Sequence, residues 1–148
     1  MKKVYFLFYS LLFSMHYSQI VNIPDANFKA ILLQADVTNN IAKDLTGNSV
    51  KIDQNNDGEI QVSEAENISK ISLNNRDIDF IYYFFNFRDY TAAVKDIYSI
   101  EGVNSFKNLQ FLDCSYAKLS SIDFTNLSKL SDLYCNNNLI TSLPIFRR

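Results

Sequence analysis

The chain is 148 residues long and 47% hydrophobic, enough for one domain with a modest core, which excludes an intrinsically disordered protein. Its 14 Lys and Arg stand against 16 Asp and Glu, a net charge of −2, which excludes the basic footprint of a nucleic-acid binder. Gly is scarce, at three residues, so Asn, which clusters in runs such as Asn136 to Asn138, is expected to take over the left-handed turn positions.

The N-terminus begins with Lys2 and Lys3, followed by an apolar run of 12 residues, Val4 to Met15, broken only by Ser10 and Ser14, and polar sequence from Ser18 onward. A membrane-spanning helix needs about 20 apolar residues. The pattern reads instead as a secretory signal peptide over residues 1–18, cut after Ser18. Cleavage leaves 12 Lys and Arg against 16 Asp and Glu, with neither a histidine nor a membrane span in the mature chain. The expected location is secreted or at the cell surface, and the acidic surface suits cations. Without a histidine base, a nucleophile elbow or paired catalytic carboxylates, the mature chain reads as no enzyme.

Residues 23–35, "IPDANFKAILLQA", predict a helix. Pro24 stands near its first turn, Asp25 or Asn27 caps it, and Phe28, Ile31, Leu32 and Ala35 share one face. Farther along, "DQNNDGEIQVSE" at 53–64 places oxygen-bearing side chains at alternate positions around Gly58. Asp53, Asn55 and Asp57 stand at loop positions 1, 3 and 5, and Gly58 at 6 allows the sharp turn. Glu59 at 7 offers its backbone carbonyl, Gln61 at 9 reaches an ion directly or through water, and Glu64 at 12 supplies two oxygens. Calcium requires six to eight hard oxygen ligands, and this spacing wraps such a set around one point. The competing reading is an acidic, solvated turn. The segment resembles EF-hand and dockerin calcium loops over 12 residues. The lead-in "LTGNSVKI", 45–52, is a poor entering helix, and the loop has no partner loop in the sequence. The exit "VSEAEN" predicts a short helix capped by Ser63 with Glu66 three residues on.

From residue 109 the chain repeats itself with a period of 21. "LQFLDCSYAKLSSI", 109–122, aligns with "LSDLYCNNNLITSL", 130–143, pairing Leu109 with Leu130, Leu112 with Leu133, Cys114 with Cys135, Leu119 with Ile140 and Ile122 with Leu143. The pattern resembles the leucine-rich repeat, in which a short strand, a turn and a return segment stack into a solenoid. Asn138 occupies the repeat's usual Asn position, whereas the equivalent residue is Ala117. A weaker copy, "ISKISLNNRDI" at 68–78, supplies Ile68, Ile71, Leu73 and Ile78, with Arg76 at the Asn position. Ile97 and Ile100 then match Leu119 and Ile122, so about 79–96 reads as an insertion. Its aromatic stretch "FIYYFFNFRDY", 80–90, is either buried against the first rung or projects to dock a partner.

Strand alternation points Leu112, Cys114, Leu133 and Cys135 inward. It sets three outward rows: Lys70, Phe111 and Asp132; Ser72, Asp113 and Tyr134; Asn74, Ser115 and Asn136. Three rungs about 4.8 Å apart make a face about 10 Å tall, small beside the roughly 800 Å² a specific interface takes from each partner. The two cysteines point the same way from neighbouring strands, which disfavours a disulfide and predicts free buried thiols.

"IPDANFKAILL", "IDQNNDGEIQVSEAENISKISL" and the "LQFLDCS…L" repeats together resemble secreted leucine-rich-repeat proteins of the Bacteroidetes, especially flavobacteria. The resemblance implies many more repeats and often a C-terminal attachment domain. With about two and a half repeats before "LPIFRR", the chain reads as truncated. The expected fold is α+β: a helical N-terminal cap, 19–67, containing the calcium loop, followed by a short leucine-rich-repeat solenoid, 68–148, with parallel strands. The expected function is a secreted, non-enzymatic interaction module with structural calcium and a protein or glycan partner. The alternatives are a glycan-binding adhesive surface, using Phe111, Tyr134 and the 80–90 aromatics, or a gene remnant without independent function.

Overall fold

The computed structural model describes residues 19–74 and 96–142. The expected signal peptide lies outside them, as do Arg76, Ile78, Leu143 and the expected insertion apart from Asp96. Helix α1 (Ala26–Leu33) is followed by strand β1 (Ala42–Asp44), the one-turn helix α2 (Val62–Ala65) and strand β2 (Ile68–Ser72). A 3-10 turn (Val103–Ser105) then precedes strands β3 (Phe111–Asp113) and β4 (Asp132–Tyr134). The strands form one sheet in the order β1-β2-β3-β4. β1 is antiparallel to β2, while β2, β3 and β4 are parallel.

The parallel register follows the 21-residue repeat. Leu112 faces Leu133, and Ile71 faces Leu112. The ladder continues past the strands: Cys114 N donates to Tyr134 O (2.8 Å) and Tyr116 N to Asn136 O (2.9 Å). Tyr116 and Asn137, equivalent positions one period apart, both adopt positive φ, 65° and 55°. Asn accepts that conformation readily, and Tyr does so at a cost. Asn138 behaves as its repeat position predicts. Its Nδ2 donates to Cys114 O and Cys135 O (both 2.9 Å), and its Oδ1 accepts Leu119 N (3.0 Å). One side chain thus satisfies three backbone groups of two successive rungs. At the equivalent place Ala117 is buried and has no polar atom to do the same.

The core lies between the sheet and the return segments. Leu109, Leu112, Leu119, Ile97 and Ile100 are all buried there, as expected. The repeat also reaches farther back than the sequence reading carried it. Val103 and Phe124, and Phe106 and Leu127, are 21 apart and all buried. On the last rung Leu133 and Cys135 are only half-buried. Both cysteines are free thiols, and burial pushes that of Cys114 well above the usual range. Strand β1 was not foreseen. It is three residues long, and Asp44 ends it by accepting Thr46 N and Asn48 N around Gly47, which has φ 89°.

Helix α1 is capped by Asp25 and buries Phe28, Ile31 and Leu32, with Ala35 buried just beyond its end. The cap also has a long-range role. Asp25 Oδ1 accepts Asn27 N and Phe28 N (both 3.0 Å). Its Oδ2 accepts Tyr98 N (2.8 Å) and Ser99 N (3.1 Å) of the first return segment. Partial burial raises the pKa of this carboxyl, but the four N–H groups outweigh it and hold it below the ordinary 3.8. Asp25 therefore stabilises the fold fully above about pH 4 and loses that contribution as pH falls through the lowered value. Replacing Asp25 with Ala is expected to cost about 1–3 kcal/mol in urea denaturation at pH 7. At pH 2–3 the difference from the unmodified chain should shrink.

Candidate metal centre

The loop 53–64 folds back on itself because its side chains bond its own amides. Asp53 Oδ1 accepts Asp57 N (3.2 Å) and its Oδ2 accepts Gly58 N (3.1 Å), so the first ligand position closes the turn. Gly58 has φ 80° and Asn56 φ 62°, conformations suited to these two residue types. Asn55 Oδ1 accepts Asp57 N (3.0 Å), and Asp57 Oδ1 accepts Glu59 N (2.8 Å). The Glu59 N–H, then the amides of Asn55 and Gln61, hold the Asp57 carboxyl below its ordinary value.

Positions 3, 5 and 9 meet. Asn55 Nδ2 lies 2.9 Å from Asp57 Oδ2 and 3.2 Å from Gln61 Oε1, and Gln61 Nε2 lies 2.8 Å from Asp57 Oδ2. Amide hydrogens thus stand as the positive partners between oxygens of Asp57 and Gln61. A rotation of the Asn55 amide about its last bond exchanges that NH2 for an oxygen. At position 12, Glu64 Oε1 accepts Gln54 N (2.8 Å) and Oε2 accepts Gln61 N (3.0 Å). Glu59 turns its side chain outward to Lys29 of α1 (2.7 Å), which leaves its backbone carbonyl as the group for position 7.

The exit helix starts earlier than expected. Its N-cap is Gln61, and the acid three residues on is Glu64, in place of the expected Ser63 and Glu66. Glu64 reaches back to the Gln61 N–H, and that bond sets the start of the helix. The lead-in 45–52 contains no helix, as its composition predicts.

Chemically the set is all hard oxygen: carboxylates of Asp53, Asp57 and Glu64, amides of Asn55 and Gln61, and the Glu59 carbonyl. Asp53, Gln61 and Glu64 are buried. Among the described residues no Lys or Arg forms an ion pair with Asp53, Asp57 or Glu64. Nor, among those residues, does any group of three His, Cys, Asp or Glu side chains converge enough to hold a metal by itself. Closure of the set around an ion therefore requires the Asn55 and Gln61 amide oxygens. With them the donor chemistry fits calcium, and buried carboxylates that bond backbone amides but have no ion-pair partner among the described residues favour a cation.

The outward face of the sheet is narrower than alternation predicts. Ser72, Asn74, Asp113 and Ser115 are buried. The last three bond one another and the backbone: Asp113 Oδ1 accepts Ser115 N, Asn74 Nδ2 donates to Ser115 O, and Ser115 Oγ donates to Asn136 Oδ1. The aromatics remain available. Tyr134 is 40% exposed, its ring centre is 5.3 Å from that of Phe111, and Lys70 Nζ lies 4.7 Å over Phe111.

Because the Glu64 carboxylate serves backbone amides as well as a candidate ion, Glu64→Ala is expected to destabilise the chain even in excess chelator. The expected loss is about 1–3 kcal/mol, read by chemical denaturation. Asp57→Ala, at an exposed position, should cost much less under the same conditions.

No helix among the described residues is long and apolar enough to cross a membrane. No curated protein matches the chain. In solved structures the chain is similar to an internalin from Listeria monocytogenes, with 22% identity and a TM-score of 0.48. That alignment covers 84% of this chain and 28% of the internalin, so the chain spans less than a third of that protein. Residues 107–148 match the family model for leucine-rich repeats (2 copies), and the fold is leucine-rich-repeat-like, with a parallel-strand sheet and few helices.

Proposed function

We propose that the chain is an exported, non-enzymatic protein-interaction module of the leucine-rich-repeat type. In this reading residues 19–67 form the cap at one end of the stack, and a calcium ion in loop 53–64 holds the cap together. The observation that carries the calcium assignment is the oxygen set itself. Two buried carboxylates, Asp53 and Glu64, bond the backbone amides of Asn55, Asp57 and Gln61, the side chains of those three meet one another, and no Lys or Arg is ion-paired to Asp53, Asp57 or Glu64 among the described residues. Calcium would supply the missing positive charge. The chain's own residues supply the frame: Asp53 and Glu64 pin the loop ends, and Asp57 orders the turn.

The ion's role in this reading is stability. A ligand at about 100 times its Kd stabilises the state that binds it by about 2.7 kcal/mol. For a domain of this size that corresponds to a rise in Tm of several degrees. Titrating calcium to millimolar levels into the protein should raise its Tm, and Asp53→Ala should abolish the rise. An equal rise in Asp53→Ala, or none in the unmodified chain, refutes the assignment.

The sheet face is the surface offered to a protein partner. A glycan partner is the second reading, favoured by the exposed Tyr134 ring packed beside Phe111, since paired aromatics suit the apolar faces of sugars. Binding to a glycan array that disappears in Tyr134→Ala would establish that reading. Array binding unchanged by the substitution would remove these two rings from it.

A further inference from the structure

The candidate calcium loop has no partner loop, yet its extended segment is not left alone. Residues 19–21 run antiparallel to residues 60–62, with Ile20 opposite Gln61. Val21 N donates to Ile60 O, and Val62 N donates to Gln19 O (both 2.8 Å). The backbone groups of Ile60 and Val62 thus face this N-terminal strap. The N–H of Gln61, between them, turns the other way to Glu64 Oε2. Segment 60–62 therefore has two edges: one binds the strap, and the other meets Glu64 through the Gln61 N–H.

Beyond this pairing the strap runs directly over the first return segment. Val21 and Ile23 are buried. Asn22 Nδ2 meets Glu101 Oε1 (3.5 Å). Gly102, at φ 99°, sits so close beneath the strap that a Cβ there would lie 2.6 Å from Asn22 O and 2.8 Å from Ile23 Cγ1. Two residues on, Asp25 takes the Tyr98 and Ser99 amides. Residues 19–25 are a single stretch of chain joining the loop's exit to the first repeat.

We infer that this strap is a calcium-dependent latch. Metal in loop 53–64 and docking of residues 19–23 across the first return segment are one coupled event, and loss of the metal releases the strap. The inference rests on the calcium reading above. The physical reason is that an ion drawing Gln61 and Glu64 inward fixes the backbone of 60–62 in the extended form that the strap pairs with. Coupling of this kind is reciprocal: whatever factor the metal adds to strap docking, the docked strap adds to metal affinity. Release would uncover Ile60 and the sites of Val21 and Ile23, and would leave the N-terminal stretch open to proteases. The metal would then govern how the end of the stack is held and how long the protein survives.

Hydrogen exchange on the full chain, with 2 mM calcium or with chelator, tests the latch through the Val21 and Val62 amides. Calcium is expected to slow their exchange by about tenfold or more. In parallel, calorimetry on Gly102→Ala, which crowds the strap and leaves every ligand in place, should show calcium affinity lowered by about tenfold. If calcium binds the unmodified chain but both amides exchange at the same rate with and without it, the latch is overturned while the calcium site stands. Unchanged affinity in Gly102→Ala overturns it equally. If calcium does not bind at all, the site and the latch fall together. Should Gly102→Ala fail to fold, the exchange comparison on the unmodified chain decides alone.

Discussion

Strands of three to five residues cannot hold an extended shape by themselves, and that constraint governs this fold. Each rung is stable only because the next one takes its hydrogen bonds and covers its apolar side chains. The spacing of 21 residues follows directly. A rung that fell out of step by one residue would turn Leu112 or Leu133 to the wrong face. Asn138 serves the same end, since its amide bonds its own rung and the preceding one at once. So do the return segments, where Phe106 stacks a rung away from Leu127, both buried.

A stack held together in this way has to be closed where it starts. In the proposed reading the N-terminal half does that, with polar devices as much as with apolar ones. β1 pairs antiparallel with β2 and so covers the edge that a further repeat would otherwise take. Helix α1 brings Phe28 and Leu32 into the core, and its cap residue Asp25 reaches the first return segment. The candidate metal loop adds a third device. Its carboxylates bond backbone amides inside the loop, and the segment leaving it pairs with residues 19–21. Strap and helix cap converge on residues 98–102 of the first return segment. On the opposite side, Leu133 and Cys135 of the last rung are only half-buried, which is the same constraint seen where no further rung lies on it among the described residues.

Much of the repeat array was legible in the sequence. The pairing of Leu109 with Leu130 and of Leu112 with Leu133 is a statement about spacing, and spacing survives folding unchanged. The turn of loop 53–64 was legible for the same reason: Asp53, Gly58 and Glu64 shape it over a few residues, and a short loop carries its geometry within itself. Positions that depended on distant partners were not. Ser72 and Asp113 were assigned to the surface by alternation and are buried, because alternation gives direction and says nothing about what bonds the side chain there. The start of α2 was misplaced because Glu64 bonds the Gln61 amide, a choice that Ser63 and Glu66 contest on equal local terms.

Periodicity and local spacing alone therefore determined the rung register, a helix cap at Asp25 or Asn27, the free state of both thiols and the turn of loop 53–64. Only the tertiary structure decided that β1 closes the sheet, that the cap is Asp25 and bonds Tyr98 and Ser99 as well as its own helix, and that residues 19–21 stand beside loop 53–64. The reason is physical. Contacts within one repeat or one turn are set by bond geometry over a few residues. A contact between residue 21 and residue 60, or between residue 25 and residue 98, depends on how the whole chain is packed, and no local pattern in the sequence marks it.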